Sequence, residues 1–106
     1  MPKYLFKANY TSAGVAGVAK KGGSARRDVI QQLMQANGGK LEALYFAFGD
    51  TDVYAFGELP DAQTAAAIAL AINQTDTTTV STVVLLTPEE IDAAAKRAID
   101  YTPPGK

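Results

Sequence analysis

The chain has no cysteine and no histidine among its 106 residues. Without cysteine there is no disulfide, no thiolate nucleophile and no sulfur ligand for a metal. Without histidine, Ser–His and Cys–His catalysis and ordinary zinc or haem ligation are excluded. An excess of either charge is also missing: 10 Lys and Arg stand against 11 Asp and Glu, a net charge of −1. A nucleic-acid binder needs a basic footprint that this balance does not supply, so no nucleic-acid partner is expected. No apolar run approaches the roughly 18 residues of a membrane span, and no signal peptide precedes the first strand. The expectation is a cytoplasmic protein with no membrane partner. Any chemistry has to come from Asp, Glu, Lys, Arg, Tyr, backbone groups or a borrowed cofactor, and no resident cofactor or metal is expected.

What is present is an ordinary globular composition. With 47% apolar and 20% charged residues, the chain is too apolar for disorder and long enough for a single two-layer core. Lys3 to Tyr10 alternates as a strand, with Tyr4, Phe6, Ala8 and Tyr10 on one side and Lys3, Leu5, Lys7 and Asn9 on the other. Thr11 or Ser12 caps a helix to about Asn37, stopped by Gly38-Gly39. Gly14, Gly17 and Gly22-Gly23 interrupt it, and Ser24 is placed to cap a restart, which predicts a weak first segment and a firm second one. Leu41 to Phe48 and Val53 to Leu59 read as a hairpin around Gly49-Asp50-Thr51-Asp52. Asp61 caps a helix with the buried stripe Ala65, Ile68, Ala69 and Ile72. Thr77 to Leu86 is a β-branched strand. Thr87-Pro88-Glu89-Glu90 is a capping box that opens a helix to about Tyr101. One domain, 1–101, is followed by a tail, 102–106, whose prolines keep it extended.

The order βαββαβ plus one helix predicts an α+β ferredoxin-like sandwich, with a four-stranded antiparallel sheet and helices on one face. The other face should then be polar, and it is not. Leu44, Phe46 and Phe48 oppose Leu41, Ala43, Tyr45 and Ala47; Tyr54 and Phe56 oppose Val53, Ala55 and Leu59; Val83 and Leu85 oppose Val80, Val84 and Leu86. A sheet apolar on both sides needs a second cover. Another copy around a two-fold axis supplies it most economically, so a homodimer or higher oligomer is expected. The alternative is a monomer holding an apolar ligand on the open face.

Candidate sites are sparse. The loops at Tyr10-Thr11-Ser12, Asp50-Thr51-Asp52 and Thr75-Asp76-Thr77 should share one end of the sheet. Their oxygens suit a hard cation, but Asp and Thr are also the usual residues of turns, and the spacing matches no calcium loop. Lys7 and Glu58 lie mid-strand on the two strands expected to be central, so either could project into a covered space; Lys7, Tyr10, Tyr54 and Glu58 are the candidate catalytic set, against structural ion pairing. Asp50 and Asp52 are candidate ligand-binding residues. So are Arg26 and Arg27 of the basic cluster Lys20, Lys21, Arg26 and Arg27, which flanks Gly22-Gly23-Ser24 without P-loop spacing. A solvated helix face, or Arg–carboxylate pairs across an interface, is the plainer account of that cluster.

Phe46-Ala47-Phe48-Gly49-Asp50-Thr51-Asp52-Val53-Tyr54, followed by Leu59-Pro60-Asp61 and an Ala-rich helix, resembles the GYD domain family. Tyr10-Thr11-Ser12-Ala13-Gly14-Val15, Ala25-Arg26-Arg27, Gly38-Gly39, Val84 to Asp92 and Tyr101 to Gly105 extend the resemblance over nearly the whole chain. Gly49 and Asp52 match the family's namesake residues, whereas Thr51 stands where many members have Tyr. A chemical role of that Tyr is therefore closed to this chain. The resemblance implies a bacterial or archaeal protein of the dimeric α/β-barrel type and no particular reaction. Two readings follow: a small oligomeric domain that binds a small molecule or serves assembly through its second sheet face, or a cofactor-independent monooxygenase- or isomerase-like enzyme using Tyr and Lys in a pocket.

Overall fold

Alternation along the first strand sets the two faces of the molecule. The computed structural model describes residues 1–106, beginning with β1 (Lys3–Tyr10), α1 (Ser12–Lys21) and α2 (Gly23–Ala36). β2 (Lys40–Phe46), β3 (Val53–Glu58), α3 (Ala62–Asn73), β4 (Thr78–Leu85) and α4 (Pro88–Ala95) follow. Tyr4 and Phe6 of β1 are buried, with ring centroids 6.1 Å apart, beside Met34, Ala55, Leu59, Ala65 and Ile68. Leu59 and Met34 are fully enclosed, each contributing roughly 2 kcal/mol of hydrophobic stabilisation. The strands form one antiparallel sheet in the order β2-β3-β1-β4, the ferredoxin-like arrangement expected from the element order. No helix is long and apolar enough to cross a membrane.

Local chemistry accounts for the helix ends. The Thr11 hydroxyl accepts from Gly14 N–H, Asp61 accepts from Thr64 N–H at 2.8 Å, and Thr87 with Glu90 forms the reciprocal capping box. The long helix divides at Gly22, whose φ of 90° a side chain rarely tolerates. Gly22 both ends α1 and starts α2, so Ser24 lies inside α2 and is not the cap of a restart.

Two further expectations are corrected. Leu41 does not share a face with Ala43 and Tyr45. A register shift between Leu41 and Ala43 inserts one extra residue, so Leu41 packs with Leu44 against the core while Ala43 and Tyr45 pair with Phe56 and Tyr54. The last helix stops at Ala95 instead of Tyr101. It buries no residue, and a helix this short needs tertiary packing to propagate. Residues 88–106 are exposed throughout. The radius of gyration, 16.8 Å, exceeds the roughly 13 Å of a compact chain of this length, as befits an arm projecting from a compact body.

Two glycines of α1 give opposite predictions. A methyl group at Gly14 would overlap the Thr77 carbonyl oxygen, which holds Thr11 N–H at 3.0 Å. Nothing lies within contact of the same group at Gly17. Gly14→Ala is expected to destabilise by about 1–3 kcal/mol through overpacking, and Gly17→Ala to stabilise by about 0.5–1 kcal/mol through helix propensity. Urea unfolding of the two variants checks the reversal of sign.

Candidate functional site

The three loops do meet at one end of the sheet, and backbone groups take up their oxygens. Asp52 accepts from Tyr10 N–H at 2.9 Å, while its own N–H donates to Ala8 O and Asn9 Oδ1, each at 3.0 Å. The Thr11 hydroxyl donates to Asp76 O at 2.8 Å. These bonds fasten the hairpin and the turn before β4 to the end of β1. Thr51 is buried beneath the hairpin and Asp50 is exposed at its tip. No three acidic groups converge there or elsewhere in a manner suited to a metal.

The open face carries Lys7 and Tyr54 as register partners, with Leu5 opposite Phe56 on one side and Val83 on the other. Tyr10 is on the opposite, helix-covered face, since it follows Tyr4 and Phe6 in the alternation. Glu58 ends β3 opposite Lys3, away from Lys7. Thus Lys7, Tyr10, Tyr54 and Glu58 do not form one constellation. Glu58 belongs instead to an ionic cluster, 3.1 Å from Lys40 Nζ and 3.9 Å from Lys3 Nζ, with Lys3 Nζ also 2.6 Å from Glu42. The hydrogen bond from Lys40, then the charges of Lys3 and Lys40, hold the Glu58 carboxyl below its usual range. The bond to Glu42 raises Lys3.

A cleft of about 260 Å³ opens between the α1–α2 corner and the start of β4. Tyr10, Gly17, Lys21, Arg26 and Thr78 are among its walls. Behind it, between α2, α3 and the sheet, lies an apolar cavity of about 40 Å³ that shares Tyr10, Arg26 and Thr78 with the cleft. Arg26 is half-buried, and its Nε is fully buried with no hydrogen-bond partner. Its neighbour Arg27 is exposed and lies 3.6 Å from Asp28. The basic cluster therefore divides by helix position: Arg27 faces water, and Arg26 turns under α1.

Strand order, register and a single helix layer define a ferredoxin-like α+β domain with an open sheet face and a cationic cleft. The chain belongs to the GYD domain family, whose model matches residues 4–95. No curated protein and no solved structure matches it.

The charged groups give a pH prediction. Lys40 lowers Glu58, the Thr64 hydroxyl and N–H lower Asp61, and the Thr87 N–H and hydroxyl lower Glu90. Carboxyls lowered on folding stabilise above their unfolded pKa, and that contribution is lost as pH falls through the folded value. Lys3 is raised, so its contribution is complete below its usual 10.5 and is lost as pH rises through the folded value. The urea midpoint is expected to be flat between about pH 6 and 9 and to fall on both sides. A midpoint that rises below pH 5 would contradict the assignment.

Proposed function

We propose that this GYD domain is a self-assembling domain that binds a small molecule, with a second copy covering the open sheet face. One observation carries the assembly: Leu5, Tyr54, Phe56, Tyr45 and Val83 form an apolar belt across all four strands, and no element of the chain covers it. Monomers rarely leave such a belt wet. The paired cations and anions of Lys3, Lys40, Glu42 and Glu58 edge it, so two faces related by a two-fold axis can match without net repulsion.

Area supports an added contribution from the arm. A sheet of four strands, β1 having eight residues, spans about 19 by 26 Å, or roughly 500 Å². A standard interface takes about 800 Å² from each partner. Leu86, Ile91, Ile99 and Tyr101 are exposed and give the arm apolar surface to lay on the second copy. The small-molecule part of the reading rests on the cleft beside Arg26. The enzymatic reading gains no site from its four candidates, which lie on two faces and at two ends of the sheet.

Native mass spectrometry and light scattering on the full chain should find a dimer or larger assembly. Phe56→Glu puts a charge in the middle of the belt and leaves the covered core intact. It is expected to weaken association by about 3 kcal/mol or more while the circular dichroism of the folded chain persists. A monomeric wild-type protein, or a Phe56→Glu variant that assembles as well as wild type, would sink the proposed face.

A further inference from the structure

The cleft at the α1–α2 corner has a chemical bias that defines its ligand class. Arg26 takes part in none of the chain's ion pairs, which join Lys3, Arg27 and Lys40 to acidic groups. Its buried Nε–H has no acceptor. A charged group left short of partners is costly, and the Arg26 side chain lines the cleft, so its guanidinium is suited to an external acceptor there. Lys21 is the second cation in the walls, and no Asp or Glu lines the cleft, although the chain has 11 acidic residues. The nearby hydroxyls of Tyr10 and Thr78 can donate as well. Anionic oxygen is the acceptor that suits this set.

The remaining walls decide what the anion is attached to. Ala13, Val18, Ala25 and Val29 are apolar, and the cavity behind Arg26 has no polar wall apart from the three shared residues. Such walls recover nothing for the hydration lost by a compact dianion, whereas they cover the body of an organic acid. The volume, about 260 Å³, falls just under the roughly 300 Å³ at which drug-sized pockets begin, so the acid is small. We infer that the cleft binds a small organic monocarboxylate, with its carboxylate on Arg26 and its apolar body between α1 and the sheet. This inference rests on the small-molecule part of the proposed function and is independent of the assembly.

The test uses the full-length protein labelled with nitrogen-15 and titrated with benzoate, with its neutral amide benzamide, and with inorganic phosphate. Benzoate is expected to shift the amides of Gly14, Gly17, Gly22 and Thr78 saturably. Benzamide and phosphate should bind about tenfold more weakly or less, and Arg26→Gln should lose a similar factor for benzoate. Gly17→Leu provides a second variant, because Gly17 lines the cleft, a Cβ there meets no atom within 4 Å, and leucine favours helix. It should stay folded and no longer bind benzoate.

Benzamide binding as tightly as benzoate, or benzoate binding unchanged in Arg26→Gln, would overturn the carboxylate while leaving a small-molecule site. Phosphate matching benzoate would overturn the apolar body. Saturable shifts from none of the three would overturn both the inference and the small-molecule reading. Loss of the oligomer in Arg26→Gln, with no benzoate shift in the wild type, would assign the Nε–H to a partner's acceptor and likewise overturn the site.

Discussion

β1 runs between β3 and β4, and each of its two rows of side chains supplies one face of the sheet. Tyr4 and Phe6 anchor the helix-covered core, while Leu5 and Lys7 fall on the other side between Phe56 and Tyr54 of β3 and Val83 and Ser81 of β4. The period of a strand permits no compromise between these rows, because a slip of one residue would exchange them. Three helices cover the Tyr4 side, and nothing in the chain covers the Leu5 side. Both the compact body and the case for a second copy descend from that one central strand.

The cleft arises from a different constraint, the break between α1 and α2. Had the helix continued through Gly22, α1 would run straight on from α2 and wall off no space beside Tyr10 and Thr78. The positive φ at Gly22 turns the chain, and Gly14 lets α1 sit directly on the Thr77 carbonyl. Gly17, three residues along the same helix, borders the cleft, and a Cβ placed there would meet no atom within 4 Å. One glycine brings the helix down, another leaves the space, and a third makes the corner. Arg26 stands one turn past that corner, so the same geometry that opens the cleft buries its Nε.

Much of this was legible in the residues. Capping chemistry is local, and Thr11, Asp61 and Thr87 each marked a helix start where one occurs. The strand alternation of β1 and β3 revealed the buried row and the apolar open row. Non-local facts were not legible. The bulge at Glu42 depends on how β2 registers against β3, so periodicity alone placed Leu41 on the wrong face. The early end of α4 depends on the absence of anything to pack against, which helix propensity does not report. Arg26 and Arg27 looked equivalent in the chain because they are neighbours. Only the position of α1 makes one a surface ion-pair partner and the other a buried donor. Glu58 read as a site candidate because it was expected mid-strand on a central strand, but it lies at the strand end among lysines.

The weak hold on α1 joins the cleft to the stability of the body. Gly14 is the only buried residue of α1, and only 12 of 106 residues in the chain are buried at all, so little apolar contact fixes that helix. Elements held by so few contacts open at low free-energy cost. A molecule seated between Gly17 on α1 and Arg26 on α2 would bridge the two helices across the Gly22 corner and restrain the less anchored one. If such a molecule binds only while α1 is packed on the body, its binding free energy adds to the stability of that packing, about 2.7 kcal/mol at a hundredfold excess over Kd. In a domain whose total is on the order of 5–15 kcal/mol, that is a large share. It would fall on α1, which packs through Gly14 against the Thr77 carbonyl immediately before the edge strand β4.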